Sequence, residues 1–301
     1  EILITLVKLP GSLFVKFIPI TPNLPSKLYR PAGYRGSCER MWLVENQMQN
    51  RAIRDEVNHP LRVYRELEDV PGRLEHMDDM GVEAQILYPT FFIRYSTDNA
   101  EAELALTTTY NRWLADRCAK SNGRLRWAAV LPFLRPDAAA EELRWAKANG
   151  ACGFFKRGFD LNRWVTNPHF YPVYEEANAL DLPMCIHTGH PLPGDEWDRG
   201  FPIMHSFTEI VKSKLPEKFP SLRFGYIEAG ASWIPYMVSQ LGARIRQNER
   251  GLDKELPQMY ELAPNLFRDN RAFVTVDLID DIESILKFGT CLLYTSPSPR
   301  D

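Results

Sequence analysis

The sequence predicts an α/β fold, a (β/α)8 TIM barrel that lacks its first strand motif and its eighth strand. Short β-branched or aromatic runs alternate with longer runs of helical period from about residue 41 onward. The apolar runs end on ionisable or polar residues, as barrel strands do at the end that carries chemistry. Residues 41–290 also provide the roughly 250 residues that a barrel of this type needs.

Six strands are predicted from the apolar runs. They cover residues 82–89, 125–133, 152–158, 182–189, 222–230 and 272–278. The runs are apolar on both faces, which is typical of parallel strands covered by helices. An open doubly wound sheet is the structural alternative, because a closed barrel needs eight strands. No run is followed by a glycine-rich phosphate-binding loop, which favours the barrel.

Seven helices are predicted before, between and after these strands. They cover residues 72–80, 103–121, 138–150, 170–180, 206–219, 234–245 and 281–289. The third of them has clear ends, since Asp137 suits the positive helix N-terminus and Asn149-Gly150 provides a left-handed stop.

Both ends of the chain depart from this alternation. Residues 1–40 are rich in proline and show no sustained period, so we predict an irregular N-terminal segment, either an extension or a mistranslated stretch. Residues 291–301, CLLYTSPSPRD, are predicted to form neither helix nor strand. They resemble a translated sequencing-adapter sequence, and we treat them as a non-native tail. The alternative is a natural disordered tail. The barrel domain is therefore assigned to residues 41–290.

Composition excludes several classes of protein. The net charge of -3, with Lys and Arg spread along the chain, gives no electrostatic case for a nucleic-acid partner. No run approaches the roughly 18 apolar residues of a membrane span. The five cysteines are odd in number and form no C-x-x-C pair, so neither a disulfide framework nor a zinc knuckle is predicted. These cysteines fit a reducing environment, and we expect a cytoplasmic protein.

Polar residues end the predicted strands, where a barrel carries its chemistry. Burying such groups is costly unless they face a polar cavity or a metal. The residues are Tyr88, Lys156, Arg157, His187, Glu228 and Asp277. The sequence therefore predicts a functional site at this end of the barrel.

His187 is the strongest candidate for a metal ligand. It closes the apolar run 182–187, and neutral imidazole is the commonest protein ligand for metals. The alternative is a histidine that is hydrogen-bonded at a strand end. Glu228 closes the next apolar run and is predicted to be a ligand, a general base or a carboxylate that orients a ligand. Its structural alternative is a salt bridge with Lys156 or Arg157.

Four further residues are candidates for substrate contacts: the adjacent cations Lys156 and Arg157, and His190 and Asp277. Lys156 and Arg157 point to opposite sides of a pleated strand, so one should face the barrel mouth and could hold a substrate carboxylate. The other should face the helical layer, and both are retained as substrate-binding candidates. His190 lies on a loop three residues after His187, where it is a substrate contact or merely solvated. Asp277, at the end of its strand, is also assigned to substrate binding.

Three separated sequence motifs occur in the same order as similar motifs in one known family. They are HMDDMGVEAQILYPT (76–90), LPMCIHTGH (182–190) and EKFPSLRFGYIEAGASWIPY (217–236). The chain thus resembles the amidohydrolase-related family, in the branch that includes aminocarboxymuconate semialdehyde decarboxylase. The resemblance covers roughly residues 41–290.

This resemblance implies one divalent metal ion at the barrel mouth, zinc or alternatively manganese, and a homodimer. His187 matches the family's fifth-strand ligand. Glu228 stands where the family has a catalytic histidine, which is a departure from its pattern. The family's His-x-His occurs nowhere in this sequence, and the aspartate expected shortly after Thr290 is absent. We therefore expect an incomplete chain.

The predicted function is that of a metal-dependent hydrolase or non-oxidative decarboxylase acting on a small carboxylated or cyclic substrate. Two alternatives remain open. The chain as given could be catalytically inactive, because one histidine and one glutamate do not complete a zinc site of three or four ligands. It could also be a non-enzymatic binding barrel, although the ionisable strand ends disfavour this.

Overall fold

A computed structural model gives the fold of the 301-residue chain. The residues it describes are 16–19, 40–45, 47–50, 62–187, 200–250, 265–277, 279–288 and 292–295. Twelve strands lie among them: β1 (Lys16–Pro19), β2 (Arg40–Val44), β3 (Gln47–Asn50), β4 (Gln85–Leu87), β5 (Leu125–Ala129), β6 (Ala151–Arg157), β7 (Phe159–Asp160), β8 (Arg163–Trp164), β9 (Met184–His187), β10 (Phe224–Ile227), β11 (Ala272–Val276) and β12 (Leu292–Thr295).

Ten helices lie in the same part of the chain. They are α1 (Arg62–Arg65), α2 (Val70–Asp79), α3 (Ala100–Ala119), α4 (Pro136–Ala148), α5 (Tyr171–Ala179), α6 (Phe201–Lys212), α7 (Leu215–Lys218), α8 (Ile234–Arg250), α9 (Leu266–Asp269) and α10 (Ile282–Phe288). The longest, α3, begins where the Asn99 side chain accepts hydrogen bonds from the amides of Glu101 and Ala102. None of these helices is both long and apolar enough to cross a membrane.

Seven parallel strands form the central sheet, in the order β4-β5-β6-β9-β10-β11-β12. Sheet order equals chain order, and helices lie between successive strands. This is the succession of a (β/α)8 barrel, here a curled open sheet with seven of the eight strands among the described residues. The predicted fold class, an incomplete TIM barrel, is confirmed; β12 follows β11 where the eighth strand was predicted to be missing. Two smaller antiparallel sheets, β1-β2-β3 and β7-β8, complete the described strands.

The sheet separates a large outer core from a small inner one. Phe154, Met184 and Phe224 align across three neighbouring strands and pack against the helices. The residues that alternate with them point to the inner side, where Phe155 and Cys185 lie in a second apolar cluster. Strand ends on this inner side are therefore placed around one common space, the barrel mouth.

Most predicted elements are confirmed, with shorter strands than the apolar runs suggested. One helix differs: the predicted helix 206–219 is divided into α6 and α7. Lys214, between them, has the left-handed φ of 53°. Pro216 has no N–H to donate to the Lys212 carbonyl and its ring would clash with that carbonyl in a continuous helix, so α6 does not continue into α7.

Six short strands lie where none was predicted: β1, β2, β3, β7, β8 and β12. β1 falls within the segment 1–40, and β2 begins at Arg40, one residue before the predicted domain boundary. β12 falls within 291–301, so the prediction that this stretch makes no strand was wrong. Its residues pair in parallel with β11, from Phe273↔Leu292 to Val276↔Thr295. The domain boundaries and the origin of the tail stay predictions.

Candidate active site

His187 and Glu228 meet at the carboxyl ends of β9 and β10. Ile227 is the register partner of His187, so Glu228 begins the loop one residue beyond it. The imidazole Nε2 lies 3.2 Å from Glu228 Oε2, with side-chain exposures of 5% and 19%. The salt bridge to Lys156 or Arg157 considered for Glu228 is thus replaced by a contact with the predicted metal ligand.

The backbone of Glu228 adopts a conformation that L residues rarely take. Its φ is 61°, in the left-handed region. A conformation of this kind costs about 1–3 kcal/mol, which contacts with the surrounding residues must offset. Its N–H donates to Thr275 Oγ1 at 3.1 Å, and that hydroxyl donates to the Tyr226 carbonyl at 3.2 Å. Strand β11 therefore helps to hold Glu228 in a strained position.

Aromatic rings line the space around His187. The ring centroids of Tyr88 and Phe155 lie 5.8 Å and 5.6 Å from that of the imidazole. Phe92 and Cys185 lie in the same inner cluster. Burial raises the pKa of the Cys185 thiol to about 12, so the thiol is neutral at physiological pH. The space beside the imidazole is therefore lined largely by aromatic and apolar side chains.

Lys156 and Arg157 meet at a carboxylate that was not predicted, Asp160. The Lys156 ammonium lies 2.9 Å from Oδ2, and Arg157 Nη2 lies 2.8 Å from Oδ1. Lys156 is fully buried above the rings of Phe133 and Phe170, on the helical side of the sheet. Arg157 is the cation on the barrel side, so the prediction from strand pleating that the two point to opposite sides is confirmed.

The charges of this ion cluster shift one another's protonation. Burial lowers the pKa of the Lys156 ammonium to about 8, although Asp160 opposes this. Burial would raise the pKa of Asp160, but Arg157 and Lys156 outweigh it and hold the pKa below its ordinary value. At neutral pH the cluster contains two cations and one anion.

Arg157 also ties the segment after β4 to the end of β6. Its Nη1 donates to the carbonyls of Phe92 (2.7 Å) and Arg94 (3.2 Å), while Nε and Nη2 both donate to Asp160 Oδ1. The guanidinium thus fixes the Phe92 part of the aromatic wall. A substrate-binding role for Lys156 and Arg157 stays a prediction.

Of the two remaining residues predicted to contact the substrate, the structure describes Asp277. Asp277 follows β11, and its N–H donates to Asp280 Oδ2 at 2.8 Å. Its Oδ2 lies 3.5 Å from where a Cβ on Gly230 would stand, so Asp277 borders the loop that begins with Glu228. Its role in binding stays a prediction. His190 lies outside the described residues.

Sequence reasoning missed three residues of this region: Asp160, Thr275 and Asp280. Asp160 follows the two cations by three and four residues, a spacing that could have indicated the ion cluster. Thr275 could have been noticed as a hydroxyl inside an otherwise apolar strand. Asp280 had no sequence signal, because it forms its contacts with the loop after a neighbouring strand.

A family model described as amidohydrolase matches residues 58–293 of this chain. The chain belongs to the amidohydrolase family. The match confirms the family resemblance that the three motifs indicated. The matched residues include His187 and Glu228.

Known relatives of this amidohydrolase include decarboxylases. The chain is 27% identical to the gamma-resorcylate decarboxylase of a Polaromonas species over 197 residues, 58% of this chain and 60% of that enzyme. It therefore spans about three fifths of that relative's length. A solved 2,6-dihydroxybenzoate decarboxylase from Rhizobium is 25% identical with a TM-score of 0.58, covering 80% of this chain and 82% of the other.

A second solved structure is a dihydroxybenzoic acid decarboxylase from a Polaromonas species, with bound manganese and the inhibitor 2-nitroresorcinol. It is 23% identical with a TM-score of 0.59, and the match covers 80% of this chain and 81% of that one. This likeness supports the barrel fold of the amidohydrolase.

The donor chemistry of the amidohydrolase site fits a divalent metal in part. An imidazole nitrogen and a carboxylate oxygen, from His187 and Glu228, lie close together at the barrel mouth. Within the part of the chain that the structure describes, no three His, Cys, Asp or Glu side chains form a group that could hold a metal. The described residues thus contribute two donors toward a site.

Glu103, on α3, provides a test of the electrostatics of the barrel mouth. It is 5% exposed, and its Oε2 accepts a hydrogen bond from the Leu134 N–H at 2.7 Å. Burial raises the pKa of its carboxyl from 4.5 to about 7. Because the folded state binds this proton more tightly, the contribution to stability is complete below pH 4.5 and is lost as the pH rises through about 7.

Glu103→Gln is therefore expected to remove this part of the pH dependence. Above pH 7 the variant should be more stable than the wild type by up to about 3 kcal/mol, since glutamine is uncharged and still accepts from Leu134. Urea unfolding of both proteins at a series of pH values measures the difference. If the free energies of unfolding of the wild type and the variant changed with pH in the same way, Glu103 would not titrate as described.

Proposed function

We propose that this amidohydrolase is a divalent-metal-dependent, non-oxidative decarboxylase of small hydroxylated aromatic acids. The observation that carries the proposal is the contact between His187 and Glu228 at a barrel mouth lined by Tyr88 and Phe155. The decarboxylase names of its relatives support it. An aromatic, largely apolar lining beside a metal-binding and proton-carrying pair suits a planar ring that bears a carboxylate.

His187 would hold the metal, and the manganese in a structural neighbour supports this type of ion. A bound divalent ion supplies positive charge that holds and polarises the oxygens of the substrate. Manganese accepts both imidazole and carboxylate donors, and zinc is the alternative.

Glu228 would move the proton of the reaction. Decarboxylation adds a proton to the ring carbon that bears the carboxylate, and the carbon–carbon bond then breaks. The electron pair of that bond restores the aromatic ring, and carbon dioxide leaves. Glu228 lies at the mouth with 19% of its side chain exposed, so solvent can protonate it again after each turnover.

The wall residues would orient the ring and exclude water from it. Phe155 lies on β6, the strand beside β9, and Tyr88 directly follows β4, so both rings would contact a substrate ring in front of the imidazole. The guanidinium of Arg157 lies 6.0 Å from the Phe155 ring centroid and brings positive charge near a substrate carboxylate. Its remaining bonds to Asp160 fix that charge in place.

The test is to incubate the purified chain with Mn²⁺ and 2,6-dihydroxybenzoate and to measure carbon dioxide and resorcinol in equal amounts. Parallel samples contain Zn²⁺ or a chelator, and an aryl ester is used as a hydrolase substrate. Metal-dependent formation of both products supports the proposal. Ester hydrolysis without decarboxylation would identify a hydrolase, and no turnover would support an inactive chain or a binding barrel; each result contradicts the proposal.

A further inference from the structure

We propose that Asp280 is a positioning residue that holds Glu228 against His187. The inference deepens the proposed function, on which it rests for the role of Glu228. Asp280 lies in the turn between β11 and α10, whereas Glu228 begins the loop after β10. The carboxylate of Asp280 thus acts across two neighbouring strand ends.

The carboxylate of Asp280 accepts hydrogen bonds from both of these loops. Oδ2 accepts from the N–H of Ala231 at 2.8 Å and from the N–H of Asp277 at 2.8 Å. Oδ1 accepts from the N–H of Ser232 at 3.1 Å and from its hydroxyl at 2.6 Å. Hydrogen bonds to a charged acceptor are stronger than neutral ones, so one side chain fastens the β10 loop to the β11 turn.

The neighbouring carboxylate, Asp281, serves the helix instead. It accepts from the Ser284 N–H at 3.2 Å and from the Ser284 hydroxyl at 2.8 Å, as an N-cap of α10 does. The two adjacent aspartates therefore have different contacts. Asp281 binds Ser284 of its own helix, and Asp280 binds the loop after β10. Asp281 provides a matched control for any loss of charge at Asp280.

Gly230 allows the two loops to approach. Its φ is 61°, and a Cβ at this position would lie 3.1 Å from Asp280 Oδ1. The Gly230 carbonyl accepts from the buried Trp233 indole at 2.8 Å, which anchors the other side of the loop. A side chain at this position would push the carboxylate away from its backbone donors.

Glu228 is consequently held from both ends. Its own N–H donates to Thr275 Oγ1, and the amides three and four residues later are fixed by Asp280. A left-handed glutamate persists only where its surroundings hold it. Without Asp280 the loop is free to relax, and the 3.2 Å contact between Glu228 and His187 is lost.

The test compares Asp280→Ala and Asp280→Asn with the control Asp281→Asn. Hydrogen exchange measures the exchange rates of the amides of residues 228–233. ¹⁵N NMR measures the resonances of the His187 imidazole nitrogens, which are assigned with His187→Gln. We expect exchange in the loop about tenfold faster in Asp280→Ala, a smaller increase in Asp280→Asn, and a changed imidazole resonance in both. Asp281→Asn should leave both readouts as in the wild type.

Each outcome supports the inference or overturns it. Faster exchange with an unchanged imidazole resonance would show that Asp280 only fastens the loop, and unchanged exchange would show that it does not hold the loop at all. If Asp280→Ala does not fold, the asparagine variant provides the same readouts. Both measurements are made without substrate, so a wild type without decarboxylase activity would contradict the proposed function and leave this result intact.

Discussion

Asp160→Ala is expected to destabilise the chain by about 3–5 kcal/mol, because it leaves two buried cations without their anion. Lys156 is fully buried and Asp160 is 3% exposed, so water cannot replace the lost carboxylate. Arg157 also loses the partner that orients it toward Phe92. Urea unfolding of the wild type and the variant measures the difference in free energy.

Two controls separate this effect from a general loss of charge. The double variant Asp160→Ala with Lys156→Met removes one unpaired cation and should recover part of the stability. Asp181→Asn breaks the exposed contact with Arg223, which is 2.8 Å long, and should cost no more than about 1 kcal/mol. A loss below about 1 kcal/mol for Asp160→Ala would contradict the description of the cluster as buried and mutually dependent.

Glu228→Gln is expected to lower turnover by about 10²–10⁴-fold, the usual contribution of a general acid or base. Glutamine has the shape of glutamate and retains a polar contact with His187, but it does not carry a titrating proton. The loss should therefore appear in kcat, with KM for 2,6-dihydroxybenzoate little changed. Steady-state kinetics with Mn²⁺ measure both constants.

A second histidine–glutamate pair provides the matched control. His205 and Glu209 lie 3.8 Å apart on α6, with side-chain exposures of 46% and 22%. Glu209→Gln removes the same charge and should leave kcat as in the wild type. Equal turnover in Glu228→Gln and the wild type would remove Glu228 from the proton transfer.

The barrel could be predicted because its evidence is local. The hydrophobic period and the polar residues that end strands can be recognised in short stretches of sequence. His187 and Glu228 could be identified because each closes an apolar run. Strand β12 could not be predicted in this way, because Leu292–Thr295 becomes a strand by pairing with β11. Strand formation depends on such a partner more than on intrinsic preference.

The partners of the predicted residues were harder to predict than the residues themselves. Pleating correctly placed Lys156 and Arg157 on opposite sides of a strand, but both long side chains bend to one carboxylate beyond it. Asp160 follows a sharp change of direction after β6 that no periodicity describes. Asp280 depends on two loops that meet only in the folded sheet, so its contacts follow from tertiary structure alone.

Manganese binding by the wild type and by His187→Ala is the most direct test of the site. Electron paramagnetic resonance of free Mn²⁺ during a titration gives the stoichiometry and the Kd. We expect one Mn²⁺ per chain in the wild type and a Kd that is weaker by more than about tenfold in the variant, since losing even an outer-shell partner has an effect of this size. No binding by the wild type, or equal binding by both proteins, would contradict a metal site at His187.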